Sequence, residues 1–261
     1  MTTSNKNSIK TAAVIVALFI IGTLLNIPYS RELKRLKIEA GETNVNLSDS
    51  ILSEIIQTSI YGLIVGAILV FVGLFLSKKA QLGAPLLESL FSKKKREELS
   101  LSIKNSFSPI AFSVILAVVI LFLHKLVRDF HPVTSIIDRP SKLYYSIVSF
   151  SAGITEEIMF RLGLMSFIIT IIQLFKKESK PSKNVVWVAI VITAIFFGLI
   201  HLPLSQNFSN LTIVTVSATM FGNLITGSFF GWVYWKRGLL VAITTHIVWD
   251  LVFHVLGSPY L

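Results

Sequence analysis

Three stretches of the sequence set ionisable side chains among apolar ones: Glu156-Glu157-Ile158-Met159-Phe160-Arg161, Phe197-Gly198-Leu199-Ile200-His201 and His246-Ile247-Val248-Trp249-Asp250. Carboxylates and imidazoles brought together can take a proton from water and pass it on, the core of general acid–base hydrolysis. On a helix turning about 100° per residue, Glu157 and Arg161 are four apart and share a face, so Arg161 can hold Glu157 ionised. Glu156 points about 100° away, on the face of Ala152 and Phe160, with no counter-charge there. The two carboxylates therefore have different jobs, and Glu156 is the one suited to activate water. His246 and Asp250 are also four apart and can face one cavity. His254 continues that stripe; with Gly257 and Pro259 close behind, it reads as an interfacial residue at a helix end. The alternative to chemistry is structural: a Glu–Arg pair joining helices, a second Glu facing water, and two packed histidines.

The elements that must carry these residues are membrane spans. Of 261 residues 53% are hydrophobic and only 15% charged, with mean hydropathy +0.72. A soluble domain runs nearer 25% charged. The apolar residues gather in seven runs: Thr11 to Pro28, Ile51 to Leu76, Pro109 to Val127, Leu143 to Phe175, Val185 to Leu204, Leu211 to Trp235 and Leu239 to Leu256. A hydrocarbon core of about 30 Å needs roughly 20 apolar residues. The expected fold class is an all-α polytopic membrane protein, a bundle of seven transmembrane helices around an intramembrane cavity. Eight is the alternative, because the fourth and sixth runs are long enough to hide a break. Ionisable groups inside spans are costly and mark functional sites. Those on the fourth, fifth and seventh runs need one another as partners.

Cysteine is absent, which excludes disulfide scaffolds, zinc–thiolate sites, iron–sulfur clusters and cysteine nucleophiles. A net charge of +10 in a soluble chain would suggest nucleic acid. Here the Lys and Arg sit mostly in short loops, so the expected partners are membrane lipids and not nucleic acid. Alternate loops hold fifteen basic residues against seven, which puts the N-terminus in the cytoplasm. Lys6 and Lys10 precede the first run, which is read as a retained span. The longest loop, 77–108, carries Lys93-Lys94-Lys95-Arg96-Glu97-Glu98, either an interfacial helix on anionic lipid or a solvated loop. Gly227 and Gly231 form a small-x-x-x-small pair for helix packing. Residue counting places Glu157 and His201 at similar depth but leaves His246 shallower, about 14 Å into its helix against about 27 Å.

The ordered set, Glu156-Glu157-x-x-x-Arg161, then Phe197-x-x-x-His201, then His246-x-x-x-Asp250, resembles the CAAX prenyl protease and bacteriocin-processing (CPBP, or Abi) family of intramembrane endopeptidases. Gly227 to Gly238 is similar to that family's lead-in to its last motif. The resemblance covers about Leu143 to Val255. It divides the chain into an N-terminal transmembrane region, 1–140, of three spans with the basic loop 77–108, and a catalytic transmembrane domain, 141–261. It implies cleavage of a peptide bond in a membrane-associated protein or peptide substrate, lipidated or not. Composition suggests a bacterial cell membrane, where peptide maturation or bacteriocin immunity is the family's usual assignment.

Asp250 departs from the resemblance, since many members carry Asn there. Two mechanisms stay open. Without metal, Glu156 and His201 activate water, His246 with Asp250 faces the oxyanion, and Glu157 is held by Arg161. With Zn²⁺, His201, His246 and a carboxylate from Glu156, Glu157 or Asp250 hold the ion. The metal-free scheme is favoured, so no cofactor is expected and Zn²⁺ is the alternative. Two other classes compete with an enzyme: a non-catalytic membrane immunity or binding protein of the same fold, and a transporter. No internal repeat supports the latter.

Overall fold

The computed structural model describes residues 3–48, 50–91, 96–131 and 135–257, with the side chains of 3–6 and 96–102 left aside. Among the described residues every regular element is a helix, and seven are long and apolar enough to cross a membrane. The α-helices are α1 (Thr3–Glu39), α2 (Ile51–Lys79), the short α3 (Pro85–Leu90), α4 (Arg96–Phe130), α5 (Lys142–Glu156), α6 (Ser166–Lys176), α7 (Lys183–Gln206), α8 (Ile213–Arg237) and α9 (Leu239–Asp250). A π-helical stretch, Glu157–Met165, joins α5 to α6 without a break, and a second, Leu251–Leu256, extends α9. Residues 142–176 are thus one candidate span, and among the described residues there are seven candidate spans. The outward faces are apolar: Ile60, Leu63, Ile64, Ile68, Phe71 and Phe75 of α2 are all more than half exposed. A water-facing surface does not carry such a belt; this is the exterior of an integral multi-pass membrane protein.

Two boundaries differ from the sequence reading. The first helix does not stop at Pro28 but runs through it to Glu39. A proline is tolerated in a membrane helix when neighbouring groups satisfy the freed backbone. Beyond Pro28 the helix is held by ion pairs one turn apart, with Arg35 Nε 2.9 Å from Glu32 Oε2 and a second guanidinium contact to Glu39. Cations assigned to a loop therefore belong to a charged helical extension. Likewise Pro109 lies inside α4, not at its start. Of the basic run, Lys93, Lys94 and Lys95 lie outside the described residues and Arg96 begins α4.

Small residues set the helix spacing. A Cβ added at Gly227 would stand 3.1 Å from Ala194 Cβ, and one at Gly231 would stand 3.2 Å from Ile190 Cγ1. The expected small-x-x-x-small pair is therefore the seam between α7 and α8. On α5, a Cβ at Gly153 would lie 2.5 Å from Ile247 Cγ1 and 3.1 Å from the Ile247 nitrogen. Only a glycine lets α5 and α9 come this close, one turn before Glu157 and beside His246. The turn from α8 into α9 is made by Gly238 at φ +85°, packed against Pro85. The next N–H, of Leu239, donates to the Gly83 carbonyl at 3.0 Å and fixes where α9 begins.

Candidate active site

The carboxylates that end α5 and open the π-helical stretch approach one imidazole from its two sides. His246 Nδ1 donates to Glu157 Oε1 at 3.0 Å, while His246 Nε2 lies 3.8 Å from Glu156 Oε2 and 3.6 Å from Asp250 Oδ1. Glu157 in turn accepts from Arg161 Nε at 3.1 Å, and both side chains are completely buried. The separation of jobs read from the helix angle is visible here as two environments. Glu157 is locked between Arg161 and His246, whereas Glu156 is 19% exposed and its Oε2 makes no hydrogen bond within the protein. Opening the i→i+5 turn at Glu157 does not break the Glu157–Arg161 pair, and π-helical turns recur at functional sites.

His201 reaches the same oxygen. Its Nε2 lies 4.0 Å from Glu156 Oε2. Its Nδ1 is 2.6 Å from the Phe197 carbonyl, which can only accept, so Nδ1 carries the proton and the neutral ring offers the Nε2 lone pair. Aromatic rings hold this geometry. Phe230 stacks on His246 at 4.4 Å, and Phe197 packs against both His201 and the Arg161 guanidinium. All six residues singled out in the sequence thus lie together, and the depth mismatch counted for His246 does not keep it from Glu156. Counting rise along separate helices ignores how they tilt against each other.

Glu156, His201, His246 and Asp250 line a cavity of about 990 Å³ that continues well past them. At its far end Tyr145 stacks face to face on His254, ring centres 5.4 Å apart. His254 is therefore a cavity residue, which corrects its reading as an interfacial one; the helix-end signals of Gly257 and Pro259 located the end of the span but not the direction of its face. Sequence reasoning also missed the walls given by the N-terminal region, including Thr23 and Asn26 of α1, Tyr61 of α2 and His124 of α4. Thr23 and Asn26 interrupt an apolar run and were the available signal.

The metal alternative can be tested against the donors. Among the described residues no three His, Asp or Glu side chains are grouped to hold an ion. His246 uses Nδ1 on Glu157, and its Nε2 is shared between two carboxylates at 3.6 and 3.8 Å. As placed, this donor set does not fit zinc, and no step below uses it.

Residues 139–252 match the family described as Type II CAAX prenyl endopeptidase Rce1-like. This segment, less than half of the chain, is similar to that family. No curated protein and no solved structure matches the chain. The Rce1-like domain holds Glu156, Glu157, Arg161, His201, His246 and Asp250, so the whole cluster falls within the match. It does not hold all of the cavity: His254 lies past its end, and α1, α2 and α4 wall the domain from outside it.

Proposed function

We propose that the protein is an intramembrane endopeptidase that hydrolyses peptide bonds of membrane-associated substrates, with Glu156 as the base. One observation carries this reading: an unpartnered carboxylate oxygen facing the Nε2 atoms of two histidines, in a cavity large enough for a peptide, within an Rce1-like domain. A water about 2.8 Å from both Glu156 Oε2 and His201 Nε2 would sit at the apex of a roughly 90° angle, each of its protons aimed at an acceptor. Glu156 takes one proton as the water oxygen bonds to the scissile carbonyl carbon, and the carbonyl oxygen becomes the oxyanion. His246 protonated on both nitrogens donates one N–H to Glu157 and the other as a hydrogen bond to that oxyanion, keeping both protons. The proton on Glu156 then passes to the departing amide nitrogen as the C–N bond breaks, which restores the carboxylate.

Residues 141–261 are the catalytic unit in this reading, and 1–140 complete the substrate cavity. CAAX-type prenylated chains and bacteriocin-like peptides are the substrate classes, in a bacterial cell membrane with the N-terminus cytoplasmic. The test is cleavage of a farnesylated peptide ending in Cys-aliphatic-aliphatic-X by the purified chain in lipid nanodiscs, with products read by mass. Glu156→Gln should remove the cleavage; turnover by that variant equal to wild type would falsify the assignment.

A further inference from the structure

We infer that the protein holds an anionic phospholipid in a groove on its membrane face, with the phosphate among Lys104, Lys183 and Lys236 and an acyl chain lying between α4, α7 and α8. The groove has a volume of about 430 Å³, usual for a ligand pocket, and is lined by Pro109 and Phe112 of α4, Trp187 of α7, and Phe229 and Trp232 of α8. Phe112 packs on Phe229 with ring centres 5.1 Å apart, and Phe229 stacks on Trp232 at 6.1 Å. α4 and α8 thus meet through their rings, and the gap left beside Trp187 is the groove. It shares no lining residue with the cavity of Glu156, and the lipid site stands whether or not the chain is a protease.

The charges at one end of the groove identify its occupant. Lys104 lies four residues before Ser108, Lys183 four before Trp187, and Lys236 four after Trp232. Each cation is thus one helical turn, about 6 Å, from a groove residue. α4 and α7 begin at this face of the bundle and α8 ends there, with the rings of Trp187 and Trp235 meeting at 6.2 Å. The three cations therefore surround one mouth. All three are exposed, and among the described residues none pairs with a carboxylate; Lys236 Nζ lies instead 3.5 Å from the centre of the Trp235 ring. Phe112 stands eight residues past Lys104 and Ser228 eight before Lys236, so both walls reach about 12 Å inward from the charges. Cations outermost, tryptophans at the interface and an aromatic-walled slot beneath follow the order of a phospholipid: phosphate, glycerol, acyl chain. A soluble anion would leave the slot empty, and a zwitterionic lipid would bring its own ammonium among the lysines. Because α4 precedes residues 139–252 while α7 and α8 fall within them, the lipid joins the N-terminal region to the matched segment.

The experiment places the full chain in phosphatidylcholine nanodiscs and adds either phosphatidylglycerol or phosphatidylcholine brominated in its acyl chains, with tryptophan quenching as the readout. Each lysine near a headgroup contributes roughly fivefold in affinity. Half-maximal quenching by the brominated phosphatidylglycerol is therefore expected at a mole fraction about tenfold or more below that for the phosphatidylcholine, the difference shrinking as salt rises. Lys104→Gln, Lys183→Gln and Lys236→Gln combined should abolish the preference. Lys10→Gln, Lys78→Gln and Lys79→Gln combined, on α1 and α2 at the same face, should keep it. Ser228→Phe, which fills the groove and leaves the cations, should lose it, and native mass spectrometry of the wild type should retain about one phosphatidylglycerol per chain. Equal quenching by the two lipids in the wild type, or a preference that survives Ser228→Phe, would overturn the site. Equal loss in both triple variants would do the same, since it means diffuse attraction to the surface. A dimer without lipid would give the groove to a second copy, and relief of quenching by a farnesylated peptide would give it to a substrate's lipid chain; either result overturns the inference.

Discussion

His246 and Glu157 are 89 residues apart in the chain and 3.0 Å apart in space, Nδ1 to Oε1, with the carboxylate fully buried and the imidazole 4% exposed. That bond joins α9 to the π-helical stretch and fixes which ring nitrogen faces the cavity. Loss of Glu157 is therefore expected to be felt in folding as well as in the proposed turnover.

Glu157→Ala and Arg161→Ala should therefore each strand a buried charge. A loss of about 3–5 kcal/mol is expected for removing one partner of such a pair. Folded yield and thermal denaturation in detergent should both fall. Glu156→Ala differs, because its Oε2 has no protein hydrogen bond to lose. Its melting should stay near wild type while cleavage disappears. Equal destabilisation by all three changes would contradict the two roles.

Close packing at Gly153 makes a second prediction. Gly153→Ala puts a methyl group against Ile247, including its backbone nitrogen, so α5 must move from α9. Overpacking of this kind typically costs about 1–3 kcal/mol. The same shift lengthens Glu157–His246, so activity should fall more steeply than the melting temperature. Gly231→Leu, at the α7–α8 seam, should lower the melting temperature; an unchanged profile would refute close packing there.

A third prediction concerns metal and Asp250. Cleavage should persist in the presence of a chelator, and Asp250→Asn should keep or raise activity, since an amide can donate to an oxyanion and an ionised carboxylate cannot. Stoichiometric zinc in active protein, with activity lost on chelation and recovered only with metal, would reverse this while leaving an endopeptidase in place.

The absence of cysteine makes sidedness measurable with single reporters. Asn44→Cys, in the exposed loop between α1 and α2, should react with an impermeant maleimide in intact cells. Lys180→Cys, between α6 and α7, should react only after permeabilisation. The opposite pattern would reverse the N-in orientation drawn from the loop charges.

Local spacing is what made the cluster legible. Glu157 with Arg161 and His246 with Asp250 each lie one helical turn apart, and an intramembrane charge has to find a partner. The seven runs were legible for the same reason, since lipid tolerates little else. Features that depend on how helices meet were not. Nothing in the spacing of Tyr145 and His254 shows that their rings stack, because they sit on helices that cross only in the assembled bundle. The end of the first helix was not legible either: the apolar run stops at Pro28, but the helix continues through charged residues to Glu39, held by the Arg35 ion pairs.

The π-helical stretch from Glu157 to Met165 changes the angular phase of its span. An i→i+5 turn holds more residues than an α turn, so side chains beyond it fall on faces rotated from those an unbroken α-helix would give. The two halves of this span thus keep independent headings. α5 can aim Glu156 at the cavity while α6 turns Ile169 and Thr170 into the interior, where the Thr170 hydroxyl meets the Leu76 carbonyl of α2. Mutations that re-aim α6 need not move Glu156, while Glu157 stays tied to Arg161 and His246.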